Sequence, residues 1–243
     1  MSYFINKQKQ YIAYSKTIGS SPGIIFIHGY NSDMAGKKAK YIEKYAKSKK
    51  ISFVKFDCRG HGKSDGKIEE FVISDWKKDL VDIIDNKTKG PQLLIGSSMG
   101  GWLMMLAAKL RKSRICGLIG IAAAPDFTKD LYKSLSKKNI LNLKKNKFIR
   151  VRKWDHTYIW TQKLFTDGNK NLVLNKKLNF KKPIILLHGL RDDVVPINVP
   201  QRILKIIPSN NIELRLIKNG DHSLSKKSDL KKLVNSIEYI LRK

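Results

Sequence analysis

A serine set in the pattern Gly-x-Ser-x-Gly can carry out acyl transfer when a strand stops just before it and a helix starts just after it. Gly96-Ser97-Ser98-Met99-Gly100 has that setting. The short apolar run Leu93-Leu94-Ile95 precedes it, and Leu103-Met104-Met105-Leu106-Ala107-Ala108, a run of helix formers without a breaker, follows. The connecting turn is tight enough to force strained backbone angles on the serine and to leave no room for side chains two residues to either side. Gly96 and Gly100 meet that demand, so Ser98 is expected to stand exposed at the positive end of the new helix. A serine hydroxyl is a weak nucleophile and needs a base held by a third group. In a strand–turn–helix setting of this kind the acid and then the histidine should follow the serine in the chain. Two stretches downstream qualify: His188-Gly189-Leu190-Arg191-Asp192-Asp193-Val194-Val195-Pro196 and Asn219-Gly220-Asp221-His222-Ser223.

Positioning these residues requires a sheet whose strands end at them. Ile24–Ile27, Ile51–Phe56, Leu93–Ile95, Ile115–Ala124, Ile184–Leu187 and Ile212–Ile217 read as strands, most of them near-continuous apolar runs of the buried kind. Tyr11-Ile12-Ala13-Tyr14 alternates weakly and reads as an edge strand. Between them, Lys37–Ser48, Phe71–Asn86, Ile203–Ile207 and Leu230–Leu241 carry apolar residues at helical spacing. Strands alternating with helices predict an α/β fold, a mostly parallel sheet covered on both faces, whose working residues collect in the loops at the carboxyl ends of the strands. From about 126 to 182 lysines and aromatic residues mix without a clear strand, and this stretch is expected to form a cap inserted in a single domain spanning 1–243.

At these motifs the chain resembles the α/β-hydrolase family, and within it the mitochondrial palmitoyl-protein thioesterase and acyl-glucuronide esterase subgroup. The likeness spans nearly the whole chain. It is densest from Gly90 to Ala108 and continues at Tyr30-Asn31-Ser32-Asp33-Met34, Phe56-Asp57 with Gly60-His61-Gly62 and Ser64, His188-Gly189 with Asp192-Asp193, and Asp221-His222. The resemblance implies Ser98 as nucleophile, Asp192 as acid and His222 as base, with Asp193 the alternative acid. An oxyanion hole in this fold uses two backbone N–H groups, that of Met99 after the nucleophile and, by resemblance, that of Tyr30. The expected activity is hydrolysis of an acyl ester or thioester, the substrate a small-molecule or lipidated acyl compound. No cofactor or metal is implied, and no His-Glu-x-x-His or comparable ligand spacing occurs.

Composition narrows the remaining classes. The 243 residues carry 49 Lys+Arg against 20 Asp+Glu, a formal net charge of +29, which raises a second reading: a basic module on the same scaffold that binds nucleic acid or an anionic membrane. Lysine far outnumbers arginine and is spread along the chain, the mark of compositional bias rather than of an Arg-clustered site, so no specific nucleic-acid partner is expected. No apolar run approaches the roughly 18 residues that span a bilayer. Met1–Lys7 lacks an apolar signal segment, and the two cysteines, Cys58 and Cys116, supply no disulfide framework; both point to the cytoplasm. Gly62-Lys63-Ser64 suggests a phosphate-binding loop, but Asp57 stands where that motif needs glycine. Cys58 near His61 suggests a thiol nucleophile, yet no elbow surrounds it.

Overall fold

The computed structural model describes residues 1–153 and 156–242. In chain order the elements are β1 (Ser2–Ile5), β2 (Tyr11–Thr17), β3 (Ser20–Ile27), α1 (Lys37–Ser48), β4 (Ile51–Phe56), α2 (Ile73–Lys87), β5 (Gln92–Ser97), α3 (Met99–Leu110) and β6 (Ile115–Ile121). There follow α4 (Phe127–Ser134), α5 (Lys137–Asn146), β7 (Phe148–Lys153), β8 (His156–Thr161) and α6 (Gln162–Lys170). The chain ends with β9 (Ile184–Gly189), α7 (Asn198–Ile206), β10 (Ile212–Ile217) and α8 (Lys227–Leu241).

Eight strands form one sheet in the order β1-β2-β4-β3-β5-β6-β9-β10. The β1–β2 and β2–β4 pairs are antiparallel, and every pairing from β4 through β3, β5, β6 and β9 to β10 is parallel. The α/β architecture is therefore the one the sequence predicts. Successive strand residues point to opposite faces. Ile25, Ile27 and Leu94 pack with Trp76 and Leu80 of α2 and Leu103 of α3, while Ile24, Phe26, Leu93 and Ile95 pack with Ile42 of α1 and Leu233 and Ile237 of α8. Both faces of the central strands are thus dry, which is why those strands read as unbroken apolar runs.

Two expectations are corrected. Tyr11–Tyr14 lies inside β2, which is not the edge: β1 pairs outside it, with Phe4 alone among its residues buried. The stretch 126–182 does contain strands, since β7 and β8 form an antiparallel hairpin with Ile149 opposite Trp160. Smaller shifts affect boundaries. The strand read as Ile115–Ala124 ends at Ile121, and the helix read as Ile203–Ile207 already begins at Asn198, with Pro200 in its first turn where a missing N–H costs nothing.

Candidate active site

β5 ends at Ser97, and Ser98 turns the chain into α3 with φ 52° and ψ −119°, a conformation an L-residue adopts only under constraint. The constraint is steric and hydrogen-bonded. A Cβ on Gly96 would run into the carbonyl of Gly100, and one on Gly100 into the carbonyl of Ile27. The Ser98 N–H donates to the Ile121 carbonyl (2.9 Å), and its own carbonyl accepts from Gly101 (2.9 Å) and Ala124 (3.0 Å). Ser98 is thereby fixed between β5 and β6 with its side chain lining a cavity.

Asp192 lies just past the end of β9. Its carboxylate is fully shielded from solvent and accepts from the amides of Val194 (2.9 Å) and Val195 (2.8 Å). His222, from the loop between β10 and α8, places Nδ1 3.0 Å and 3.1 Å from the two Asp192 oxygens. A carboxylate only accepts, so Nδ1 carries the proton and Nε2 is left with a free lone pair. Burial alone would raise the Asp192 pKa, but the His222 ring and the two amides outweigh it and hold the carboxyl below its usual range. Asp193, the alternative acid, is solvent-exposed. His188 sits behind the pair, buried, with Nε2 3.9 Å from Asp192, and burial pushes its pKa down.

Ser98 and His222 border the same cavity of about 390 Å³. Its walls are apolar and aromatic: Phe127 and Leu131 from α4, Tyr158 and Trp160 from β8, and Val199 from α7. Tyr158 and Trp160 stack at 5.4 Å with 2° between their planes, and Trp160 stacks in turn on Tyr30 at 4.8 Å. The Tyr30 hydroxyl donates to the Ile159 carbonyl (3.2 Å), so the loop after β3 is bolted to the hairpin. His28 steadies the same loop, with Nδ1 donating to the Gly29 carbonyl (2.8 Å) and Nε2 accepting from the Cys58 amide (3.0 Å). Among the described residues the Met99 and Tyr30 amides find no acceptor; both residues line the cavity, and Met99 opens α3, where amides are unpaired by construction.

A second cavity, of about 400 Å³, reaches Ser98 and His222 beside the N-terminus of α1. Its lining is mixed, with Ser32, Asp33, Lys37, Lys38 and Ser223 beside Phe26 and Ala39. Lys38 Nζ donates to the Ser223 carbonyl (2.6 Å), tying α1 to the residue after His222. Burial lowers its ammonium to about 8, with Asp221 opposing. No local pattern announces this link, because the partners lie 185 positions apart. The sequence decoys fall away from the site. Cys58 is fully buried, its thiol pKa raised by that burial, and His61 is pushed down to about 3 by burial and by His28. Asp57 caps backbone instead, accepting from Met34 (2.7 Å) and Lys63 (2.9 Å).

The chain is similar to several known proteins. Residues 21–157 match the profile of the family described as serine aminopeptidase, S33. The bovine mitochondrial palmitoyl-protein thioesterase ABHD10 is 36% identical over 241 residues, covering 96% of this chain and 77% of the relative. Mouse alpha/beta hydrolase domain-containing protein 10 superposes with a TM-score of 0.93 at 32% identity, covering 99% of this chain and 98% of that one. A putative hydrolase from Agrobacterium vitis S4 superposes with a TM-score of 0.93 at 28% identity, covering 99% and 97%. Among the described residues no helix is long and apolar enough to cross a membrane. A largely parallel eight-stranded sheet, a strained serine between β5 and α3, and likeness along almost the full chain lead to one assignment: the chain belongs to the α/β-hydrolase family, as a hydrolase of the ABHD10 type.

Proposed function

We propose that the protein is a serine hydrolase that cleaves acyl esters or thioesters through an acyl-enzyme, with Ser98 as nucleophile, His222 as base and Asp192 as acid. One observation carries the reading: His222 is held through Nδ1 by a buried carboxylate while it borders, with the strained Ser98, one apolar cavity. His222 Nε2 takes the Ser98 proton as Oγ attacks the acyl carbon, and the resulting oxyanion is received by the Tyr30 and Met99 amides. His222 returns the proton to the leaving oxygen or sulfur, and water then releases the acid by the same route. An ester or thioester hydrolase of this kind needs no cofactor. The acyl chain lies against Phe127, Leu131, Tyr158 and Trp160, so the segment of about 126–182 acts as a cap that selects it. The curated relatives are mitochondrial by name; for this chain two free thiols favour a reducing compartment, and the cytoplasm is the one proposed.

A fluorophosphonate probe tests the assignment, since an activated elbow serine attacks phosphorus at such centres. Intact protein should gain one adduct that maps to Ser98, and Ser98→Ala should gain none while losing turnover of 4-nitrophenyl acyl esters. An adduct that persists in Ser98→Ala places the nucleophile elsewhere and overturns the reading.

A further inference from the structure

The two cavities that meet at Ser98 and His222 differ in chemistry. The first is walled by aromatic and aliphatic side chains and suits an acyl chain. The second is lined by Ser32, Asp33, Lys37, Lys38 and Ser223 together with Phe26 and Ala39, and it carries the ammonium groups that the first lacks. A hydrolase must place the two halves of its substrate on either side of the nucleophile, so the lysine-bearing cavity falls to the leaving group.

Positive charge gathers beside that cavity. Lys37 and Lys38 open α1 at the cavity wall, and Lys37, Lys40 and Lys44 recur at helical spacing on its solvent face, all three exposed. At 1.5 Å per residue they form a stripe about 10 Å long that runs away from the cavity. Among the described residues none of the three takes part in a salt bridge. The acid of α1, Glu43, is turned to Lys47 (3.0 Å) and Lys55 (2.8 Å), and Asp33 already accepts from the Ala35 amide (2.7 Å). No arginine is present in α1 or the cavity wall. Without an arginine fork, which grips carboxylate and phosphate alike, these ammonium groups act as point charges, and point charges draw a phosphate monoester of about −1.5 to −2 more strongly than a singly charged carboxylate.

We propose that the second cavity and the lysine stripe of α1 bind a phosphate-bearing leaving group, so that the substrate is an acyl ester or thioester of a phosphorylated alcohol or thiol. The inference rests on the hydrolase reading above and adds the leaving group to it. In the step itself the Ser98 Oγ–acyl carbon bond forms and the bond from that carbon to the leaving oxygen or sulfur breaks. His222 supplies the proton to the departing atom. Water then displaces Ser98, giving the free acid and the phosphorylated alcohol or thiol.

Matched substrate pairs test this and separate the two sources. Lauroyl-coenzyme A is compared with S-lauroyl-N-acetylcysteamine, and 1-lauroylglycerol 3-phosphate with 1-lauroylglycerol, all at low ionic strength and below micelle formation. In at least one pair the phosphorylated member should have a kcat/KM on the order of tenfold higher, since three exposed ion pairs contribute a factor of about 2 each. The gain should lie in KM. The triple variant Lys37→Gln/Lys40→Gln/Lys44→Gln should bring that ratio close to one. A triple variant of α5, Lys138→Gln/Lys144→Gln/Lys145→Gln, removes the same charge elsewhere and should preserve it. A ratio near one in both pairs for the wild type overturns the proposal while leaving the hydrolase reading intact. Equal loss in the two triple variants also overturns it, because the preference then comes from net charge alone. Failure to turn over any of the four substrates, together with absent fluorophosphonate labelling, removes the hydrolase reading and the proposal with it.

Discussion

Replacing Asp192 by Asn probes the proposed triad at its most buried member. The carboxylate accepts from three groups: the His222 ring at 3.0 and 3.1 Å and the Val194 and Val195 amides at 2.9 and 2.8 Å, both of the latter on Oδ1. An Asn side chain can keep its carbonyl oxygen on the two amides, which then turns its NH2 toward His222 Nδ1. A donor facing Nδ1 makes that nitrogen an acceptor, so the ring proton moves to Nε2 and the ring can no longer accept from Ser98. Wrong-tautomer substitutions of this type cost about 10⁴ in kcat, or about 5.5 kcal/mol of barrier. The fold should lose far less, because two of the three interactions persist and the third changes from a charged to a neutral hydrogen bond, worth about 1–2 kcal/mol. The assay is stopped-flow turnover of a 4-nitrophenyl acyl ester, normalised to serine labelled by fluorophosphonate, with urea unfolding of each variant alongside. Asp193→Asn, at an exposed position, should stay near wild type. A kcat for Asp192→Asn within tenfold of wild type, or a larger loss in Asp193→Asn, refutes the reasoning.

Three further outcomes follow from the same structure. Gly100→Ala should destabilise the protein by about 1–3 kcal/mol in urea, since the new Cβ meets the Ile27 carbonyl and backbone has to move. Because the folded Asp192 carboxyl is held below its usual pKa, its contribution to stability is fully present above about pH 3.9 and is lost as pH falls through the lower folded value. The gap between the urea midpoints of wild type and Asp192→Asn should therefore close on acidification below pH 4, and a gap that widens there would contradict the sign. Leu131→Trp adds bulk to the wall of the apolar cavity and should move the preferred acyl chain to a shorter length in a graded ester series, with little change for acetyl esters.

What was legible in the sequence was local. The elbow shows itself within ten residues, because strand, turn glycines and helix are contiguous. The central strands declare themselves because both of their faces are buried. The hairpin of β7 and β8 was missed although Ile149-Arg150-Val151-Arg152 alternates as a strand should; the surrounding lysines hid a four-residue signal. β1 was missed because one buried side chain is not a pattern. The choice between Asp192 and Asp193 had no local signal at all. The structure separates them: the Val194 and Val195 amides and the His222 ring meet the carboxylate of Asp192, whereas Asp193 is exposed, and this favours Asp192 as the proposed acid. Links such as Lys38 to Ser223 and Tyr30 to Ile159 join distant segments, and nothing in either segment announces the other.

The net charge of +29 is set by 49 Lys+Arg against 20 Asp+Glu, and the surface is more cationic still because several of the acids lie inside. Asp57, Asp79, Asp126, Asp192 and Asp229 are drawn inside, where they cap backbone or pair with a buried partner, and are lost to the surface as counter-charges. Several of the arginines also pair with acids. Arg59 is buried on Asp79 (2.7 Å), Arg111 pairs with Asp85 (2.7 Å), Arg202 with Asp130 (3.2 Å) and Arg215 with Glu213 (2.8 Å). Specific reading of a duplex relies on arginine forks at base edges, whereas what remains on this surface is chiefly lysine, a source of sequence-blind attraction to phosphate. Duplex DNA should accordingly bind weakly, without sequence preference, and be released by moderate salt, with log K falling by roughly 0.9 per neutralised phosphate for each unit of log salt. Turnover of a neutral ester should change little over the same salt range, since the acyl transfer proposed for Ser98 offers no substrate charge for bulk ions to screen. Fluorescence anisotropy with two unrelated duplexes, run in parallel with ester hydrolysis, reads both quantities. Nanomolar, sequence-selective binding at physiological salt would mean that the lysines form a recognition surface, and the scaffold would have to be read as a nucleic-acid module that also carries a hydrolase site.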